Sequence, residues 1–244
     1  MSSYLNIFPT AEAAAKACAL RISEIIKDSL EQRGVARIAL SGGSSPKLMF
    51  AELAKLPIDY EHVWLYWVDE RVVPPDHPDS NYKMAMENLI LPAGIPIQHL
   101  NRIAGERYPE EAAAHYISEI QVDFKLKEGE LPVFDLIHRG MGPDSHTASL
   151  FPGDPLIEDD YEIAANTFVE KFNSHRVTLM PGVLKAARHT VILAPGADKA
   201  GALWDVLEGK KDEMAHPCQI AAKPPYPTEW FTDEAATKLL RNKS

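Results

Sequence analysis

Two cysteines, Cys18 and Cys218, are all the thiol chemistry in 244 residues. Neither sits in a CxxC pair, and two are too few for a disulfide framework, so a zinc ribbon and a stapled secreted fold are both excluded. No apolar run approaches the roughly 20 residues that span a bilayer, and the first residues carry no basic-then-apolar leader pattern. Basic side chains are in deficit: 25 Lys and Arg stand against 35 Asp and Glu, a formal charge of −10. A nucleic-acid binder shows the opposite balance. Motifs are also missing. There is no Walker loop, no GxGxxG, no GxSxG serine elbow and no His/Glu spacing that suggests zinc. The expectation is a soluble protein of the reduced cytoplasm, with no membrane or nucleic-acid partner. An anionic small molecule would need a local basic cluster.

What is present is an alternation of strand-like and helix-like segments. Thr10–Arg33 has helical apolar spacing, with Thr10 as N-cap and Gly34 as the stop. Val35–Leu40, Val63–Val68, Val133–Ile137 and Thr190–Ala194 are short apolar runs that predict buried strands. Weaker strand patterns cover Ile97–Leu100, Glu162–Val169, Arg176–Leu179 and Trp230–Phe231. Helices are expected over Lys47–Leu56, Asn81–Leu91 behind a Ser80 cap, Pro109–Asp123, Pro181–Arg188, from Lys199 to near Gly209, and after an Asp233 cap. Prolines 217, 224, 225 and 227 mark an irregular tail. Strands that are apolar throughout belong to a parallel sheet covered on both faces. No repeat or linker divides residues 1–244, so one α/β domain is expected. In such sheets ligands bind beyond the carboxyl ends of the strands, where the turns at Ser41, Asp69, Gly140 and Gly196 all fall.

Those turns carry the chemistry. Gly140-Met141-Gly142-Pro143-Asp144-Ser145-His146-Thr147-Ala148-Ser149 places a carboxylate, an imidazole and hydroxyls within one break after a strand. Imidazole is suited to moving protons at neutral pH, and His146 is the candidate general base. The competing reading is a capped turn with an incidental histidine. Ser41-Gly42-Gly43-Ser44-Ser45-Pro46 joins a strand to a helix, so close backbone approach, free amides and the helix dipole favour an anion. Asp69-Glu70-Arg71 puts three charges at the end of a buried strand. Arg71 could grip phosphate through its planar fork, with Asp69 or Glu70 orienting it, or the group could be a structural ion pair. Lys199, which begins a helix after a strand, could approach a phosphate as a point charge or be a solvated surface lysine, and Arg176, just before Val177-Thr178, could point into the cleft or form a salt bridge at a strand start. The other histidines lie in ordinary contexts.

Five segments taken together resemble one family, the 6-phosphogluconolactonases: Leu40–Lys47 (LSGGSSPK), Val68–Tyr82 (VDERVVPPDHPDSNY), Phe134–Gly153 (FDLIHRGMGPDSHTASLFPG), Arg176–Leu179 (RVTL) and Gly196–Lys199 (GADK). They occur in the family's order, within roughly positions 35–235. The resemblance implies a Rossmann-like α/β sandwich with a mostly parallel central sheet flanked by helices. It implies hydrolysis of 6-phospho-D-glucono-1,5-lactone to 6-phospho-D-gluconate, the second step of the oxidative pentose phosphate pathway, with no metal or cofactor. By motif position His146 matches the catalytic histidine. Gly43, Ser45, Arg71 and Lys199 match phosphate- or active-site-binding positions, and Arg176 a cleft arginine. Gly42, Ser44 and Asp69 join the expected substrate-binding set, and Asp144 is expected to orient the histidine. Two departures stand out. Ser145 replaces the family's usual glycine, and the strand before the turn ends in His138-Arg139 rather than apolar residues; that pair either fills a local polar pocket or marks a subfamily. Amino-sugar-phosphate deaminases or isomerases share this layout, but their histidine turn usually continues Asn-Glu-Pro. A non-catalytic sugar-phosphate sensor would need the anion site alone.

Overall fold

The structure, a computed structural model, describes residues 3–221, 226 and 228–242, and the side chain of Ser3 is not among the parts described. Prolines 224, 225 and 227 of the expected tail therefore lie outside the described residues. In chain order the elements begin with β1 (Ser3–Phe8), α1 (Ala11–Arg33), β2 (Ala36–Leu40), α2 (Ser44–Leu53), β3 (Val63–Trp67) and β4 (Asp69–Arg71). Then come α3 (Asn81–Ala85), a π-helical turn (Met86–Ile90), α4 (Leu91–Ala93), β5 (Leu100–Asn101), α5 (Pro109–Phe124) and β6 (Leu136–Gly140). The chain continues with β7 (Ala164–Val169), β8 (Ser174–Leu179), α6 (Pro181–Ala186), β9 (Thr190–Leu193), α7 (Ala200–Leu207) and β10 (Thr228–Asp233).

Seven strands form one sheet in the order β1-β10-β9-β6-β2-β3-β5, and every pairing in it is parallel. The chain runs outward from β2 to β3 and β5, then returns to the other side of β2 through β6, β9 and β10. The switch in direction falls between β2 and β6. It opens a crevice at their carboxyl ends, where open parallel sheets bind ligands.

Local sequence explains the main supports. The Thr10 hydroxyl accepts the Ala13 N–H at 3.2 Å, and Gly34, at φ 71°, closes α1 by donating to the Leu30 carbonyl. The buried face of α1 is Ala14, Ala15, Cys18, Ala19, Ile22, Ile25 and Ile26. That face packs against β10, β1, β9, β2 and β6, and each buried isoleucine contributes roughly 1.5–3 kcal/mol. Cys18 and Cys218 are buried and unpaired. Among the described residues no helix is long and apolar enough to cross a membrane.

A second, antiparallel sheet, β4-β8-β7, was not expected. Its junction with the main sheet is Val68. The Val68 N–H still donates to Leu40 of β2, at 3.0 Å, while its carbonyl already accepts from Leu179 of β8, at 2.8 Å. The charged triplet that follows thus enters a new sheet instead of ending in a loop. The segments expected as strands over Glu162–Val169 and Arg176–Leu179 are strands of this sheet, not of the parallel one.

Other boundaries differ for local reasons. Ile97–His99 is a 3-10 turn, and only Leu100–Asn101 pairs with β3, at the sheet edge. The expected helix after Ser80 continues through the π-helical turn just before Pro92, a residue with no N–H to offer the carbonyl of Asn88. Asp233 does cap, accepting from Ala236 N–H at 2.8 Å, yet Glu234–Leu239 forms turns and not a helix.

Candidate active site

The turn after β6 is held in shape by its own backbone. Gly142 N–H donates to the His146 carbonyl (2.9 Å), Ser145 N–H to the Gly142 carbonyl (3.1 Å) and Leu150 N–H to the Thr147 carbonyl (3.0 Å). The Thr147 hydroxyl donates to Gly140 (3.0 Å). Two non-glycine residues in this turn, Ser145 at φ 66° and Ala148 at φ 53°, adopt the left-handed conformation that L side chains disfavour. At Ser145 that conformation is supported from outside: its carbonyl accepts the Cys218 N–H at 2.9 Å, and its hydroxyl lies 3.3 Å from His216 Nδ1.

The turn presents His146 with its partner behind it. Asp144 Oδ1 lies 2.5 Å from His146 Nδ1, and Asp144 Oδ2 is 3.0 Å from Lys171 Nζ. The hydrogen bond from His146 holds the Asp144 carboxyl well below the usual carboxylate range, with the Lys171 ammonium adding to the effect. With Nδ1 tied to the carboxylate, the free nitrogen of the ring is Nε2. The imidazole stacks on Phe151, ring centroids 4.3 Å apart.

Across from this turn, β4 and β8 pair so that Arg71 lies opposite Arg176. Like charges directly opposed on two strands are destabilising. Burial, followed by repulsion from Arg71, pushes the Arg176 guanidinium below its ordinary pKa. Nε of each arginine is buried and has no partner among the described residues. Arg71 Nη1 is fixed by the Asp79 carbonyl. Glu70 is buried on the other side of β4 and acts as a clamp. It accepts from the N–H groups of Arg71 (2.8 Å), Asn81 (2.8 Å) and Tyr82 (2.7 Å) and from the Ser80 hydroxyl (3.0 Å). Burial pushes its pKa up, against those four bonds. Asp69 accepts the Ser149 hydroxyl at 2.7 Å, tying the second sheet to the histidine turn.

The loop after β2 completes the basin. Gly43, at φ 118°, turns the chain into α2 in a conformation open to glycine. The Ser44 and Ser45 amides then head a helix with no acceptor inside it. Lys199 ends the 3-10 turn before α7, its Nζ 3.1 Å from Asp198 Oδ2.

The histidine, the two arginines, Lys199 and the loop after β2 share one cavity of about 470 Å³. Of the residues expected from sequence, Gly42, Gly43, Ser44, Ser45, Asp69, Arg71, His146, Arg176 and Lys199 line it, and Asp144 stands behind His146. Ser149, Phe151 and Phe172 also line it and were not singled out. The His138-Arg139 departure does not reach the cavity. Both side chains are fully buried. Among the described residues neither ring nitrogen of His138 has a partner, and Arg139 Nη2 donates to the Ile220 carbonyl at 2.6 Å while its Nε and Nη1 have no partner there. Burial pushes the His138 pKa to about 3 and that of Arg139 downward. Among the described residues no group of three or more His, Cys, Asp or Glu side chains is placed to hold a metal ion.

Fold and cavity together define the class: an α/β protein with a parallel sheet whose switch point opens into a basic cleft beside an Asp–His pair. The chain belongs to the family of glucosamine-6-phosphate isomerases and 6-phosphogluconolactonase, whose model matches residues 9–230. It is 34% identical to the 6-phosphogluconolactonase of Synechocystis over 217 residues, 88% of this chain and 89% of that protein. It is 33% identical to the 6-phosphogluconolactonase of Haemophilus influenzae, over 96% of this chain and 98% of that one. The solved 6-phosphogluconolactonase of Trypanosoma brucei superposes with a TM-score of 0.86 at 27% identity, covering 96% of this chain and 97% of its own.

Proposed function

We propose that the chain is an enzyme of one functional unit that hydrolyses 6-phospho-D-glucono-1,5-lactone to 6-phospho-D-gluconate in the oxidative pentose phosphate pathway, acting in the cytoplasm. The observation that carries the reading is the cavity itself. It sets two opposed arginines and Lys199 in the same space as an imidazole backed by a carboxylate. A phosphate relieves the Arg71–Arg176 repulsion by bringing negative charge between them, and the Ser44 and Ser45 amides add donors at a helix N-terminus. The phosphate is remote from the reacting carbon and supplies positioning energy.

In this reading His146 Nε2 takes a proton from water as the water oxygen bonds to the lactone C1. The carbonyl π electrons move onto oxygen, where hydrogen-bond donors lining the cavity meet the charge. The tetrahedral adduct then re-forms its carbonyl and breaks the bond from C1 to the ring oxygen. The imidazolium returns its proton to that oxygen, which leaves as a hydroxyl, so one water is consumed and the enzyme is restored. Asp144 holds the ring orientation through Nδ1 and stabilises the imidazolium.

The test is lactone consumption measured against the spontaneous opening rate, alongside ammonia release from glucosamine 6-phosphate. Enzyme-dependent lactone loss without ammonia supports the reading. Ammonia release would assign the chain to the isomerase side of its family. Phosphosugar binding without either reaction would make it a sensor.

A further inference from the structure

Lys171 lies outside every segment that suggested function, on the short turn Glu170–Phe172 that joins β7 to β8. The turn is closed by Asn173 in the left-handed conformation, at φ 46°. Its tip reaches the Asp–His pair directly through Lys171 and indirectly through Phe172. Lys171 Nζ is 3.0 Å from Asp144 Oδ2, the oxygen that His146 does not use. The next residue, Phe172, lines the cavity and meets Phe151 edge-on at 5.9 Å, and Phe151 stacks on the His146 ring. The Arg176 guanidinium lies 5.5 Å from the Phe172 ring centre. The hairpin thus links the basic wall of the cleft to the imidazole. We propose that Lys171 is a positioning residue that completes a Lys171–Asp144–His146 chain and acts on the base through the carboxylate. This rests on the reading of His146 as the base.

The physical argument is one of shared charge. A carboxylate that accepts from an ammonium on one oxygen is a weaker partner for the imidazolium on the other. Lys171 therefore eases return of the proton to the leaving oxygen, and it fixes Asp144 against rotation. Its side chain is 56% exposed, so the effect is screened and modest. The other charges facing the same cavity are Asp69 and Arg71 from β4, Asp79 from the loop after it, Arg176 from β8 and Lys199 before α7. Glu170 neighbours Lys171 on the tip. None of these changes when Lys171 alone is replaced.

The experiment is a titration of the His146 ring by NMR, its signal identified by loss in His146→Gln. It is run on the wild type, Lys171→Met, Lys171→Arg, Asp144→Asn and the double variant Asp144→Asn with Lys171→Met. Loss of the lysine charge should raise the midpoint by roughly half a pH unit. Arginine should keep it near wild type. In the Asp144→Asn background the lysine change should have less than half its former effect. The acid limb of kcat/KM should move with the ring. Equal midpoints in wild type and Lys171→Met, or a shift undiminished without the Asp144 carboxylate, would overturn the proposal. The NMR signal of the ring is read whether or not lactone is turned over. A shift in a protein inactive on the lactone would sink the functional reading alone, and an active enzyme with no shift would sink the inference alone.

Discussion

The imidazole of His146 occupies the space where a side chain at Gly142 would go. A Cβ built on Gly142 would lie 2.0 Å from His146 Nδ1 and 2.6 Å from Asp144 Oδ1. Glycine at this position is thus what lets the pair fold back over its own turn. Gly142→Ala should force the ring away from its place and lower kcat by roughly 10²-fold, because a displacement near 1 Å is enough for that loss. Stopped assays on the purified variant, with circular dichroism to verify the fold, check this. Wild-type kcat would show that the turn adapts.

The Arg71–Arg176 pairing predicts a ligand-linked stability. Inorganic phosphate should raise the Tm of the wild type, since it binds the folded state and neutralises the opposed guanidiniums. The rise should be lost in Arg71→Ala, which should also lower kcat/KM for the lactone, mainly through KM, by roughly tenfold or more. Differential scanning calorimetry with and without phosphate reads the first effect and initial rates the second. An unchanged kcat/KM would remove Arg71 from phosphate binding.

His138 predicts a pH dependence of stability that has nothing to do with catalysis. Its folded pKa is depressed to about 3, below the ordinary imidazole value of 6.5, because burial disfavours the cation. Between those values the unfolded chain binds a proton that the folded chain does not. Stability is therefore full above about pH 6.5 and falls as pH drops toward 3, by at most about 1.4 kcal/mol per pH unit. Urea unfolding at pH 7 and pH 5 should show this loss in the wild type and a smaller one in His138→Leu. An equal loss in both would place the acid sensitivity elsewhere.

The parts legible in sequence are those set by local pattern. α1 carries its own cap, stop and apolar face, and β2, β3 and β9 fall on the expected apolar runs, while β6 starts within the expected Val133–Ile137 run and continues through His138-Arg139. The segments that follow those strands supplied the expected site residues except Arg176, which stands in β8; of the others, Asp69 and Arg71 stand in β4, and Ser44 and Ser45 open α2. What was not legible depends on distant partners. β4 is three charged residues and is a strand only because β8 pairs with it. β1 mixes polar and apolar residues at the sheet edge, and its identity comes from β10. The His138-Arg139 pair was read as filling a polar pocket or marking a subfamily, but β6 lies inside the sheet and is buried on both faces, so both adjacent side chains are in the core. Lys171 is 27 positions from Asp144 in sequence, and the antiparallel return of β7 into β8 closes that separation to a hydrogen bond.

The most direct test of the account is steady-state lactone hydrolysis by His146→Ala, corrected for spontaneous opening. The imidazole is assigned the proton transfers at both water attack and ring-oxygen departure, so kcat should drop by roughly 10²–10⁴-fold with the fold and phosphate-induced stabilisation retained. Turnover near the wild-type rate in that variant would contradict the assignment and with it the mechanism.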